Sequence, residues 1–249
     1  FAQSAVKSNV TSVASNFANP PAIYRTAPFM VWNWKVTKPE IDRMIMDFKD
    51  AGCGAVIIHP RPGLITEYMS DDWYSLYRYA VDKGKEVGMT IWIYDENSYP
   101  SGFAGCHVSH DMPESYNQGA GLALTKAETL PDDMSNCFIC LKKDGDKWID
   151  ITQTVSSYKN AKGEYYIYSK TYYGKSDWYG GYSYVDLLMK GVTDRFISTT
   201  MKGYEQTLID EFGKSVLGVF SDEPNISISR ALRWTPDLFT TFKEQWGYD

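Results

Sequence analysis

The chain has 249 residues, about the length of one barrel domain, and its 25 Lys and Arg against 31 Asp and Glu leave a net charge of -6. No apolar run is long enough to span a bilayer, and no Lys/Arg cluster offers the electrostatic footprint that a nucleic-acid partner requires. Aromatics are the excess, with 19 Tyr, 8 Trp and 11 Phe; exposed Tyr and Trp suit a sugar's C–H face and hydroxyl rim, and core packing is the competing use of the same rings.

Phe1 to Asn19 are rich in Ser, Asn and Ala. They read as the flank left by a removed secretion signal, which implies a secreted or periplasmic protein. The first strand is Pro28-Phe-Met-Val-Trp-Asn-Trp34. Thr37-x-x-Glu40 with Pro39 is a capping-box start, Ile41, Met44, Ile45 and Phe48 recur at helical spacing, and Gly52 ends the helix. A second strand, Ala55-Val-Ile-Ile58, is continuously apolar, as strands buried on both faces are, and it ends at His59-Pro-Arg61. Ser70 opens the next helix, whose stripe is Trp73, Leu76, Tyr77, Ala80, Val81 and Val87, with Gly88 as its stop. Strand three, Met89 to Tyr94, runs into Asp95-Glu96-Asn97.

A stretch of roughly 90 residues then precedes the next helix, far beyond the usual βα loop. It holds a hairpin, Phe138 to Lys143 and Lys147 to Ile151 about an Asp144-Gly145 turn, and further β-rich text at Tyr165–Tyr168 and Thr171–Tyr173. The following helix carries Phe196, Ile197, Thr200, Met201, Tyr204, Leu208 and Phe212 on one face, with Gly213 as its stop. Strand four, Val216 to Phe220, leads into Ser221-Asp222-Glu223-Pro224. Cys137-x-x-Cys140 lies in a β run, where positions three apart face opposite sides; a zinc site would need Cys106, His107 and His110 as well, so free thiols are expected.

Strand–helix alternation calls for a parallel sheet with right-handed crossovers. The expected fold is α/β, the N-terminal half of a (β/α)8 TIM-type barrel with a small β subdomain inserted after strand three. The expected blocks are a flank (1–26), barrel strands 1–3 with their helices (27–105), the inserted subdomain (106–185), and helix 3, strand 4 and the following segment (186–249). A closed barrel needs eight strands, so the chain is expected to be a fragment of a longer enzyme; an open sheet is the alternative.

Each strand hands over to polar groups at its C-terminal end: Trp32-Asn33-Trp34, then His59 and Arg61, then Asp95-Glu96-Asn97, then Asp222-Glu223. In parallel barrels these ends form one rim, where active sites lie; helix capping is the competing explanation for Asp95 and Asp222. Glycosidic cleavage needs an acid for the leaving oxygen and a second carboxylate for water or carbon, and Glu96 and Glu223 are the candidate catalytic pair. Trp32 and Trp34 are candidates for stacking on a sugar ring. Asn33, Asn97, His59, Arg61, Asp95 and Asp222 are candidates for hydroxyl contacts.

These segments, with Tyr99-Pro-Ser-Gly-Phe103, resemble the N-terminal barrel segments of glycoside hydrolase family 106, the α-L-rhamnosidases, and their relatives in gut bacteria. The resemblance spans about Ala27 to Pro224 and skips the inserted β region. It implies inverting hydrolysis of terminal α-L-rhamnosides from an oligo- or polysaccharide such as a plant or pectic glycan, in a large secreted enzyme assisted by Ca2+. It also implies site roles for Glu96, Glu223, Asp95, Asp222, His59 and Arg61, and a further essential carboxylate beyond Asp249. The competing expectations are a glycosidase for another sugar, a carbohydrate-binding barrel without turnover, and a lyase or isomerase.

Overall fold

The structure is a computed structural model that describes residues 10–117, 121–172, 174–226, 232–235 and 237–248. In chain order the elements are α1 (Val10–Asn16), β1 (Phe29–Trp32), α2 (Lys38–Asp50), β2 (Ala55–Pro60), α3 (Asp71–Val87), β3 (Thr90–Tyr94), α4 (His107–Asp111), α5 (Glu114–Asn117), β4 (Gly121–Ala127), β5 (Cys137–Asp144), β6 (Lys147–Asp150), β7 (Tyr165–Thr171), α6 (Val192–Leu208), β8 (Val219–Phe220), β9 (Leu232–Arg233) and α7 (Leu238–Trp246). They fall into two compact units, one of residues 1–99 and 200–222 and the other of 100–199 and 223–249. The expected last block, 186–249, is therefore divided: its final part groups with the β-rich segment, because Gly121 and Leu122 of β4 pair with Arg233 and Leu232 of β9.

The first unit is built on a four-stranded sheet in the order β1-β2-β3-β8, parallel throughout. The sheet is open; four strands do not close a barrel. Successive side chains alternate between its faces. Met30, Trp32, Val56, Ile58, Ile91 and Ile93 join one core with Ile41 and Ile45 of α2, Trp73, Tyr77, Ala80 and Val81 of α3, and Tyr204 and Leu208 of α6. Two polar groups inside this packing are satisfied. Trp73 Nε1 donates to the Tyr204 hydroxyl at 3.1 Å, and the Tyr77 hydroxyl donates to the Trp92 carbonyl at 2.9 Å.

Local chemistry sets the element ends. The Ser70 hydroxyl accepts from the Trp73 N–H at 3.2 Å, and Gly88 closes α3 in the left-handed region with φ 71°. The other expected cap differs in detail. Thr37 sits at the N-cap of α2, but its hydroxyl donates to the Glu40 carboxylate at 2.6 Å and accepts nothing from the backbone. Strand four is shorter than its apolar run: only Val219 and Phe220 are strand, although Ile91 and Ile93 N–H still donate to the Ser215 and Gly218 carbonyls. Glycine is required where α6 meets α3, since a Cβ on Gly203 would lie 2.0 Å from the Tyr74 ring. Ile197, expected on the buried face of α6, is 51% exposed.

The second unit carries a five-stranded sheet in the order β6-β5-β7-β4-β9, with every described pairing antiparallel. The hairpin turn falls one residue later than the sequence indicates, at Gly145-Asp146, because Asp144 pairs with Lys147. Cys137 and Cys140 also differ from expectation. A register shift between Cys137 and Ile139 inserts an extra residue, so both cysteines share the face that packs with Tyr165 and Ile167. Both are free thiols, and burial pushes Cys140 up to about 11. A second small core gathers Phe103, Ala104, Val108, Tyr179, Tyr184, Val185, Val192 and Phe196.

Candidate active site

The C-terminal ends of β2, β3 and β8 bring polar side chains to one edge of the first unit's sheet. Parallel registry causes this: Ile58 pairs with Ile93, and Tyr94 pairs with Phe220, so the residues that follow run off the same end. Backbone bonds tie the ends together. Asp95 N–H donates to the Phe220 carbonyl at 3.1 Å, and Ser98 N–H donates to the Pro60 carbonyl at 3.1 Å. Ser98 is held at φ 77° and Glu223 at φ 46°, a region that disfavours side chains and recurs where function constrains the backbone.

The sheet face opposite the helices is aromatic near this edge. The ring of His59 stacks on Phe29 at 4.9 Å and meets Tyr94 edge-on at 3.8 Å, and Tyr94 stacks on Phe220 at 5.7 Å. His59 is 1% exposed, yet among the described residues neither ring nitrogen has a hydrogen-bond partner. Its pKa is lowered from 6.5 to about 4, chiefly by burial and then by the Arg61 charge, with Asp222 pulling the other way. His59 is therefore a neutral imidazole at pH 7, with one donor and one acceptor nitrogen. Two buried polar groups with no partner are costly, so such a residue points to a ligand or water that satisfies them.

Asp222 is positioned by Tyr94, whose hydroxyl lies 2.6 Å from Asp222 Oδ2 and 2.8 Å from the Ser98 carbonyl. Burial first and the Asp222 bond second hold the Tyr94 phenol protonated. Glu96 is fully buried, and its Oε1 accepts from the Asn97 N–H at 2.8 Å, which fixes the carboxylate against its own turn. Asp95 is also buried. Tyr68 belongs to the same surroundings: its hydroxyl is buried without a partner among the described residues, and after burial the neighbouring phenol of Tyr204 and the negative charges of Glu96 and Asp95 hold its proton on. Arg61 lies over the Tyr99 ring at 5.3 Å.

The expected site residues separate into three groups. His59, Arg61, Asp95, Glu96, Asn97 and Asp222 lie at the strand ends of the first unit. Trp32 is corrected: it is fully buried and packs edge-on against Trp73 at 5.2 Å, among the helices, so it is a core residue and no sugar platform. Trp34 likewise packs against that core, and Asn33 is exposed just past β1. Glu223 is exposed and follows Asp222 directly, at the start of the segment that groups with the second unit. The sequence reading missed Tyr94, Tyr68, Phe29 and Phe220. For Tyr94, Phe29 and Phe220 parity carried the signal, since counting back in twos from a polar strand end marks the face it shares; Tyr68 lies in the loop between β2 and α3, where no period marks it.

Among the described residues, no group of three or more His, Cys, Asp or Glu side chains is gathered as a metal ion would need. No step is routed through the Ca2+ that the family resemblance implies. No helix is long and apolar enough to cross a membrane.

No protein-family model matches the chain, and no curated protein matches it. Among solved structures, a rhamnosidase from Novosphingobium sp. PP1Y is a weak structural neighbour, with a TM-score of 0.34 and 18% identity over 49% of this chain. The matched part spans 12% of that rhamnosidase, and a likeness of this size carries no argument about fold or function.

Proposed function

We propose that the strand-end residues of the first unit belong to a glycoside hydrolase of (β/α)8 type that removes a terminal sugar, an α-L-rhamnoside, with inversion. The observation that carries the reading is His59: a buried neutral imidazole at the end of a parallel strand, with both nitrogens unpartnered among the described residues and the charges of Arg61 and Asp222 acting on it. A sugar's neighbouring hydroxyls are both donors and acceptors, so they match such a ring without any change of charge. The same strand ends supply acidic groups, Glu96 and Asp95 after β3 and Asp222 after β8, and cleavage of a glycosidic bond requires two carboxyl groups.

In this reading Glu96 is one of the two catalytic carboxylates, of which one protonates the leaving oxygen and the other activates water, and Glu223 is the second that the sequence nominates. Tyr94 holds Asp222 for a hydroxyl contact, and Arg61 with Asn97 completes the polar set. Ca2+, a plant or pectic glycan as substrate, and a secreted or periplasmic location are parts of the proposal that rest on the family resemblance.

The test begins with binding. L-Rhamnose titrated into the protein should shift the His59 imidazole NMR signals and leave those of His110 in place. An aryl α-L-rhamnoside should then be hydrolysed, and Glu96→Gln should lower the rate about 10²–10⁴-fold while the His59 response to rhamnose persists. Binding without turnover would replace the enzyme with a sugar-binding protein. A silent His59 would remove the site itself.

A further inference from the structure

The glycosidase reading leaves Cys137 and Cys140 unused, yet β5 and β7 bring their side chains together. Cys137 pairs with Ser169 and Cys140 with Ile167, and those two β7 residues are two apart and so share a face. The extra residue of β5 lies between Cys137 and Ile139, so three steps in sequence cover only two residues of strand. Two residues span roughly 6.7 Å, against roughly 10 Å for three residues of regular strand. Disulfide-bonded Cα atoms lie about 4.4–6.8 Å apart, so the bulge brings the pair within bonding reach on one face.

Backbone bonds hold both positions. Cys137 N–H donates to the Met134 carbonyl at 3.0 Å, Cys140 N–H to the Thr152 hydroxyl at 2.9 Å, and Ile151 N–H to the Cys140 carbonyl at 2.9 Å. The two side chains pack in one small core with Ile151, Tyr165 and Ile167, Cys140 fully buried and Cys137 half-buried. Cys137 is therefore the sulfur that a reagent reaches first. The Asp150 carboxylate lies close enough to act on both: burial first and its charge second raise the Cys137 thiol, and burial, Cys137 and Asp150 raise that of Cys140.

We infer that Cys137 and Cys140 form a redox-active dithiol that closes to a disulfide across the β5 bulge by exchange with a low-molecular-weight disulfide. The Cys137 thiolate attacks one sulfur of that disulfide, breaks its S–S bond and releases a first thiolate, which takes up a proton. The Cys140 thiol gives its proton to solvent and attacks the Cys137 sulfur of the mixed disulfide, releasing the second. The pair loses two electrons and two protons, and the co-reactant is reduced to two thiols. Because burial and Asp150 disfavour both thiolates, closure is slow at neutral pH and quickens as pH rises. The inference stands independently of the hydrolytic reading, since no sugar takes part.

The test uses oxidised glutathione as the probe, then alkylation with iodoacetamide in urea and peptide mass spectrometry. The wild type should lose two hydrogens, carry a bond between Cys137 and Cys140, and keep no glutathione on either. Cys140→Ala, an apolar replacement suited to the core, should instead retain glutathione on Cys137. Asp150→Asn, which keeps an acceptor for Thr152, should speed closure at least ~twofold at pH 8, a response that packing alone does not produce. The closed protein should have a higher urea midpoint than the reduced one. The inference is overturned if both thiols stay free or hold separate glutathiones, or if either pairs with Cys53 or Cys106. It is equally overturned if closure lowers the urea midpoint, if Cys140→Ala takes up no glutathione, or if Asp150→Asn leaves the rate unchanged.

Discussion

His59 is where the chemistry of single residues is most exposed to test. Its imidazole is neutral in the folded state down to about pH 4, whereas in the unfolded chain it takes up a proton near 6.5. The unfolded state therefore binds more protons between those values, and stability falls as pH drops from 6.5 to about 4. Urea midpoints across that window should decline in the wild type and decline less in His59→Gln. A second loss follows at lower pH. Asp210 and Glu211, held below the usual carboxylate range by bonds to Arg78 and Lys85, lose their contribution as they protonate. Tyr94→Phe removes the donor at 2.6 Å from Asp222 and should cost about 1.5–3 kcal/mol in urea unfolding, the range for a hydrogen bond to a charged group. The polar residues at these strand ends were legible because they interrupt apolar runs. Trp32 was misread for the same reason: in Phe-Met-Val-Trp every position is apolar, and only the pairing of Val31 with His59 shows that Trp32 faces the helices.

At the scale of elements, α3 was the most legible, with both caps and the stripe in place, since Ser70, Gly88 and the spacing of Trp73, Tyr77, Ala80 and Val81 all agree. Loss of its cap in Ser70→Ala should destabilise by about 1 kcal/mol. The close approach of α6 to α3 was not legible, because a glycine inside a helix gives no sign of what it touches. Gly203→Ala should cost about 1–3 kcal/mol by thermal or urea unfolding, since the new methyl meets the Tyr74 ring. The shared face of Cys137 and Cys140 was hidden by a bulge that alternation cannot reveal. Burial and the raised Cys140 thiol predict slow alkylation by iodoacetamide at pH 8 in the folded protein and rapid alkylation in urea. If Cys140 reacts equally fast in both, the packing of β5 is wrong.

For the molecule as a whole, strand–helix alternation led to the parallel sheet, because crossover helices leave sheet order equal to chain order. The grouping of 223–249 with the β-rich segment was beyond the sequence, since β9 has two residues and no period to read. The central claim is that the first unit's strand ends form a sugar-cleaving site. NMR of an aryl α-L-rhamnoside during turnover tests it most directly, by following the anomer released by the wild type and by Glu96→Gln. The account predicts that the anomer with inverted configuration appears first, and that its formation slows about 10²–10⁴-fold in the variant. No turnover of the glycoside, or equal rates in the two proteins, would contradict it.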